Sequence, residues 1–271
     1  MLIDGVMLLW FLLTALSVAF VAIDIRSTPE HPVMKWAFVL FTLYSGPIGA
    51  FLYVLGCREP LPGLHEQYVA ARWRQALGST MHCVAGDGIG ILVGAVIGAL
   101  IALPMATDMC VEYVLGFGFG WTIFQTLFMR DMFGSYVHSL KGTFSSELLS
   151  MNCLMGGMMP VASIAFAHMP GSHDPSEPLF WFRMSLALMF GAAIAYPMNW
   201  WLVAHHLKHG MMTVRPKGEG ATTGMREKME IAASIGSAIH SPSPPVLVMA
   251  VLSFVVLATG AAIALALGRG H

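Results

Sequence analysis

The feature that most constrains this chain is the length and spacing of its apolar runs. Seven stretches are long enough to cross a hydrocarbon core of about 30 Å. They are Val6–Ile23, Val33–Leu55, Met81–Leu103, Val111–Met129, Phe144–Met169, Phe180–Leu207 and Val246–Leu267. Polar or Gly/Pro-bearing sequence separates them, the longest piece being Lys208–Pro245. In lipid every backbone N–H and C=O must find its partner within the chain, so such runs become helices. The expected fold is all-α: a polytopic transmembrane helical bundle of about seven helices. Composition points the same way, with 56% hydrophobic and 11% charged residues, against about 25% charged in soluble domains.

Of the 14 Lys and Arg residues, all but Arg26, Lys35, Arg183 and Arg269 follow the second, fourth and sixth runs. The positive-inside bias then gives a cytoplasmic N-terminus and an external C-terminus in an inner (cytoplasmic) membrane. No Lys or Arg precedes the first run and Asp4 does, so it reads as a span rather than a signal peptide. Neither Leu61–Thr80 nor Lys208–Pro245 is large enough for a separate domain. The expectation is one membrane domain over 1–271, with a four-helix core at about 73–211. Peripheral helices fall at 1–57 and 246–267, and a cytoplasmic loop at 208–245 in which Met225–Ile239 forms a surface helix. Glycines four residues apart (Gly90, Gly94, Gly98; Gly116, Gly120) mark where core helices approach closely.

Several exclusions follow. A net charge of −1 makes nucleic acid an unsuitable partner. The four cysteines, Cys57, Cys83, Cys110 and Cys153, form no CxxC pair and no disulfide ladder. Walker A, dinucleotide, HExxH and GxSxG signatures are absent. The sequence therefore offers no catalytic residue. His205-His206-x-x-His209 sits at a helix end, where lipid headgroups and terminal carbonyls are its natural partners and a metal ion is the alternative one.

The candidate site lies inside the runs. Cys83 and Asp87 share one face of the third, one turn apart, with His82 projecting about 100° away. A carboxylate about 9 Å into a crossing needs a partner, a proton, a cation or water. Glu147 and Met151 share a stripe of the fifth run with Met155 and Met158. Gln125, Ser150 and Asn199 add polar groups at similar depth. Thiolate and thioether sulfur favour Cu(I), and the chain has 21 Met. On that basis Cys83, Asp87, Glu147 and Met151, with His82, form a candidate inner metal site. Met105, Met109, Cys110, His168 and Met169 form a candidate outer capture site. Met as mere flexible filler is the competing account.

From about Trp73 to Met211 the chain resembles the bacterial and archaeal membrane family known as domain-of-unknown-function family 4396. The matching pieces are His82-Cys83-x-x-Gly86-Asp87, Phe124-Gln125, Ser150, Gly157-Met158 and Tyr196-Pro197-x-Asn199-Trp200-Trp201. The family's usual Lys-Ala-Asp before the Ser is here Ser145-Ser146-Glu147, which keeps an acid and loses the adjacent Lys. The resemblance implies no established activity. It does imply copper-handling neighbours, because family members are often met beside or fused to such proteins.

Three functions remain open at the level of sequence. One is Cu(I) handling or transport without nucleotide hydrolysis, in contact with other metal-handling proteins. The second is a structural or assembly subunit of a membrane complex. The third is a haem or redox subunit, for which the membrane histidines lie poorly, near segment ends.

Overall fold

A computed structural model describes residues 2–169, 171–214 and 244–268. The elements are α1 (Leu2–Asp24), α2 (Pro32–Ser45), α3 (Pro47–Gly56), α4 (His65–Val69), α5 (Arg72–Leu100) and α6 (Met105–Phe119). A π-helical turn, Gly120–Gln125, joins α6 to α7 (Thr126–Phe133); α8 (Tyr136–His168), α9 (Pro178–Ala204) and α10 (Val246–Gly268) follow. The fold is all-α, with one isolated bridge between Glu30 and Thr213 among the described residues. The expected surface helix at Met225–Ile239 lies outside them.

Five helices are long and apolar enough to cross a membrane: α1, α5, α8, α9 and α10. α1 and α10 leave most of their apolar side chains outside the protein interior, as lipid-facing helices do. The fourth expected crossing, Val111–Met129, is built from α6, the π turn and α7 in sequence.

The second expected crossing, Val33–Leu55, departs from expectation. It is a helical hairpin broken at Gly46, whose backbone (φ 57°, ψ −133°) is open to glycine and strained for other residues. Its two ends return to one place. Asp24 and Arg58 pair at 2.9 Å, and the ligand atoms of Glu30, Cys57 and His65 lie within 4.8 Å of one another. The hairpin tip rests on α1, where a Cβ at Gly46 would meet Thr14 Oγ1 at 2.6 Å. Thr14 is ten residues before the α1 end at Asp24, about 15 Å along a helix, or half of a hydrocarbon core. The reason is local. Gly46-Pro47 ends one helix and starts the next with Pro at its first position. α2 itself is packed inside the bundle, burying Met34, Phe38, Phe41 and Tyr44, so the 1–57 segment is not simply peripheral.

The remaining helices alternate in direction. Gly90 faces the Leu115 carbonyl and Gly94 faces Glu112, so α5 and α6 run antiparallel. Ser79 on α5 and Ser150 on α8 both meet Asn199 on α9. α10 runs parallel to α8, with Asn152 on Ser253 and Gly156 on Gly260. At these contacts glycine does the work a larger residue could not: without a Cβ, the backbones come close enough for dense packing in lipid.

Candidate functional site

The centre of the bundle is polar. α5 contributes Cys83 and Asp87, α8 contributes Glu147 and Ser150, and α9 contributes Asn199, all buried. The ligand atoms of Cys83, Asp87 and Glu147 lie within 4.8 Å of one another. Cys83 Sγ donates to Asp87 Oδ2 at 3.0 Å and lies 3.0 Å from Ser150 Oγ. Asn199 Nδ2 donates to Ser150 Oγ at 2.9 Å, and Ser79 Oγ donates to Asn199 Oδ1 at 3.3 Å. Asn199 also donates to the Ala195 carbonyl, tying its amide to its own helix just past Pro197. Thus a chain of polar contacts runs from Asp87 through Cys83 and Ser150 to Asn199 and Ser79.

Two oxygens are left over. Asp87 Oδ1 and Glu147 Oε1 are buried without a hydrogen-bond partner. Asp87 Oδ1 points at Gly120, the first residue of the π turn, where any side chain would collide with it. A π turn widens one helical turn, and such turns often sit at functional sites. Here it lines the acid.

Lys208 is the residue the sequence did not place. Its Nζ lies 2.8 Å from Glu147 Oε2, both side chains being at most 1% exposed. It gets there through the end of α9. Leu207 N donates to Leu202 O and His206 N to Val203 O, a Schellman arrangement with His206 at φ 56°. That reversal turns the chain back into the bundle instead of letting it run on as a loop. Burial opposes the ammonium charge, but Cys83, Glu147 and Asp87 outweigh it and hold the Lys208 pKa above its ordinary value. The cation beside the two acids thus comes from beyond the end of α9, not from either helix that carries an acid. An ion pair exists at Glu147, and Lys208 supplies its cation. Two carboxyls and one ammonium leave one negative charge unless the cluster holds a proton, and close carboxyls share protons readily.

The other expected residues divide. Met151 is fully buried, and its methyl approaches Gly116 beside the Asp87 carbonyl, so it borders the cluster. His82 turns away. Its ring packs 4.8 Å from Phe128 and 5.8 Å from Phe124, with Gln125 as polar neighbour. In the suggested outer set, Cys110 is exposed, and His168 bonds back to Ile164 of its own helix. Met105, Met109 and Met169 are half-buried. Neither Cys110 nor His168 belongs to a ligand cluster among the described residues. His205 likewise bonds back to Trp201 within its own helix.

Two further groupings escaped the sequence reading. Near the opposite end of the bundle, Asp108 and Glu112 on α6 interact electrostatically with buried Arg183 on α9. The signal was present: Glu112 is an acid one residue inside an expected crossing. The other is Glu30 with Cys57 and His65, which no spacing rule connects because three separate segments supply it.

A buried polar cluster inside a bundle with five membrane-length apolar helices defines a multi-pass helical membrane protein associated with the lipid bilayer. The family profile described as Domain of unknown function (DUF4396) matches residues 72–208, and the chain belongs to that family. The match begins at the first residue of α5 and ends on Lys208, so it holds every member of the central cluster. Comparison with curated proteins and with solved structures gives no match.

Proposed function

We propose that the protein is a six-crossing membrane protein that binds one soft monovalent cation, Cu(I), at Cys83, Asp87 and Glu147. Handling or transport would proceed without nucleotide hydrolysis. The observation that carries this reading is the convergence of thiol and two carboxyls within 4.8 Å in a fully buried centre. Charge selects the ion class. With Cys83 as thiolate, Lys208 as ammonium and one proton shared by the two acids, the centre carries one negative charge. A monovalent cation neutralises it, whereas a divalent one leaves an uncompensated buried charge, which is strongly unfavourable. Sulfur from Cys83, with Met151 at the border, favours Cu(I) among monovalent metals. Binding releases the thiol proton and weakens the hold of Glu147 on Lys208.

The crossing count follows from the hairpin. If α2 and α3 enter and leave on one side, the crossings are α1, α5, α6 with α7, α8, α9 and α10. Arg26, Lys35, Arg58, Arg72, Arg74, Arg130, Lys141 and Lys208 then all gather at one end. That end is cytoplasmic by the positive-inside bias, and both termini are external. This six-crossing arrangement, rather than seven with a cytoplasmic N-terminus, is the one we adopt.

The test is Cu(I) titration of purified protein in micelles under reducing conditions. One equivalent is expected, with affinity at least tenfold lower in a Cys83→Ser/Met151→Leu variant. Equal stoichiometry and affinity in both would overturn the proposal. A second reading has its own support in the Lys208–Glu147 contact of 2.8 Å. On that reading the centre is a closed polar lock that fixes three helices and a chain reversal. It predicts no Cu(I) uptake by either protein.

A further inference from the structure

We propose a second, separate metal site, for a divalent ion of the zinc class, at Glu30, Cys57 and His65. These residues lie outside the family match, which starts at residue 72, and none belongs to the central cluster. Glu30 comes from the loop between α1 and α2, Cys57 from the end of α3, and His65 from the first residue of α4. The hairpin is what brings them together, by returning the end of α3 to the start of α2. Carboxylate oxygen, thiol sulfur and imidazole nitrogen then lie within 4.8 Å of one another.

The geometry aims these atoms inward. Glu30 Oε1 accepts from the backbone N–H of His31 at 2.9 Å and of Met212 at 2.8 Å. That leaves Oε2, which is buried without a hydrogen-bond partner and faces His65 Nε2 at 3.9 Å. The other ring nitrogen, Nδ1, is 2.8 Å from Thr213 Oγ1. A histidine whose far nitrogen is held by a hydroxyl or carbonyl has the fixed orientation that metal-bound histidines show. The support itself is held in place: Thr213 bridges Glu30, and Val214 N donates to Pro29 O at 2.9 Å.

Donor type and charge then choose the ion. One sulfur, one imidazole nitrogen and one carboxylate oxygen form a ligand set for tetrahedral Zn(II), with a fourth position open to water or an exchangeable ligand. Cys57 as thiolate and Glu30 as carboxylate together carry two negative charges, which a divalent ion balances within a buried site. Binding requires the Cys57 thiol to release its proton to solvent. The bound ion would tie three chain segments together: 25–31, 57–65 and 211–214. The last of these follows Lys208 by three residues.

The experiment uses the full chain in detergent micelles, stripped of metal and titrated with Co(II) as the spectroscopic probe. A tetrahedral ligand-field spectrum with a thiolate-to-cobalt charge-transfer band is expected, displaced by Zn(II). Cys57→Ala should lose the charge-transfer band, and Cys83→Ala should keep it. Thr213→Val should weaken binding about tenfold, the lower end of the usual effect of removing such a support. No tetrahedral spectrum in the wild type would overturn the site, as would loss of the band in Cys83→Ala but not in Cys57→Ala. Should Cys57→Ala fail to fold, X-ray absorption of the Zn(II)-loaded wild type and of its Cys83→Ala variant decides. One sulfur among nitrogen and oxygen neighbours in both supports the site. A shell without sulfur in either protein overturns it.

Discussion

Replacing Lys208 with Met isolates what the central ion pair does. The substitution keeps most of the side chain's volume and removes its charge. In the native structure Lys208 Nζ and Glu147 Oε2 are 2.8 Å apart, with side chains 0% and 1% exposed. At an effective dielectric of about 20, two unit charges at that distance attract by about 6 kcal/mol. Desolvation of both groups offsets much of this, so the pair as a whole adds little net stability. Removing one partner is different, because the other keeps its desolvation cost without compensation, typically about 3–5 kcal/mol. Lys208→Met is therefore expected to lose about 3–5 kcal/mol at pH 8. The Glu147→Gln/Lys208→Met double variant should recover most of it. The assay is equilibrium unfolding in mixed micelles, followed by tryptophan fluorescence across a double-mutant cycle. A loss under about 1 kcal/mol in Lys208→Met, or strictly additive effects in the cycle, would refute the reasoning.

Two further outcomes are expected. Gly90→Leu would drive a side chain into the Leu115 carbonyl between α5 and α6, and should cost at least the roughly 1–3 kcal/mol typical of overpacking. Gly118→Ala, with nothing within 4 Å of the added Cβ, should be neutral or slightly stabilising; equal melting temperatures for the two variants would contradict the packing account. Accessibility labels at Gly5 and after His271 should report one compartment, and a label at Gly134 the other. Labels at Gly5 and His271 on opposite sides would remove the six-crossing arrangement.

The helical class, the apolar runs and the polar positions on α5, α8 and α9 were all legible in the sequence. Each is a one-dimensional signal: run length against bilayer thickness, or residues one helical turn apart. Cys83 with Asp87 is such a pair, and so is Glu147 with Met151. Their meeting was expected from depth alone, since residues at equal depth on neighbouring helices can touch. What the sequence could not decide is where the chain reverses. Val33–Leu55 has the composition of a crossing, yet Gly46-Pro47 folds it into a hairpin, because a single backbone conformation outweighs the average hydrophobicity of a window. Lys208 stands just past a helix and reads as loop; the reversal at His206 sends it inward to Glu147. Glu30, Cys57 and His65 are spread over 36 residues of chain and share no helical periodicity. Local rules determine which elements form and which faces they bury. Contacts between distant segments depend on turns of one or two residues, whose conformation is settled by what they pack against. The tertiary structure alone therefore supplied the lysine that pairs with Glu147 and the junction that gathers a carboxylate, a thiol and an imidazole.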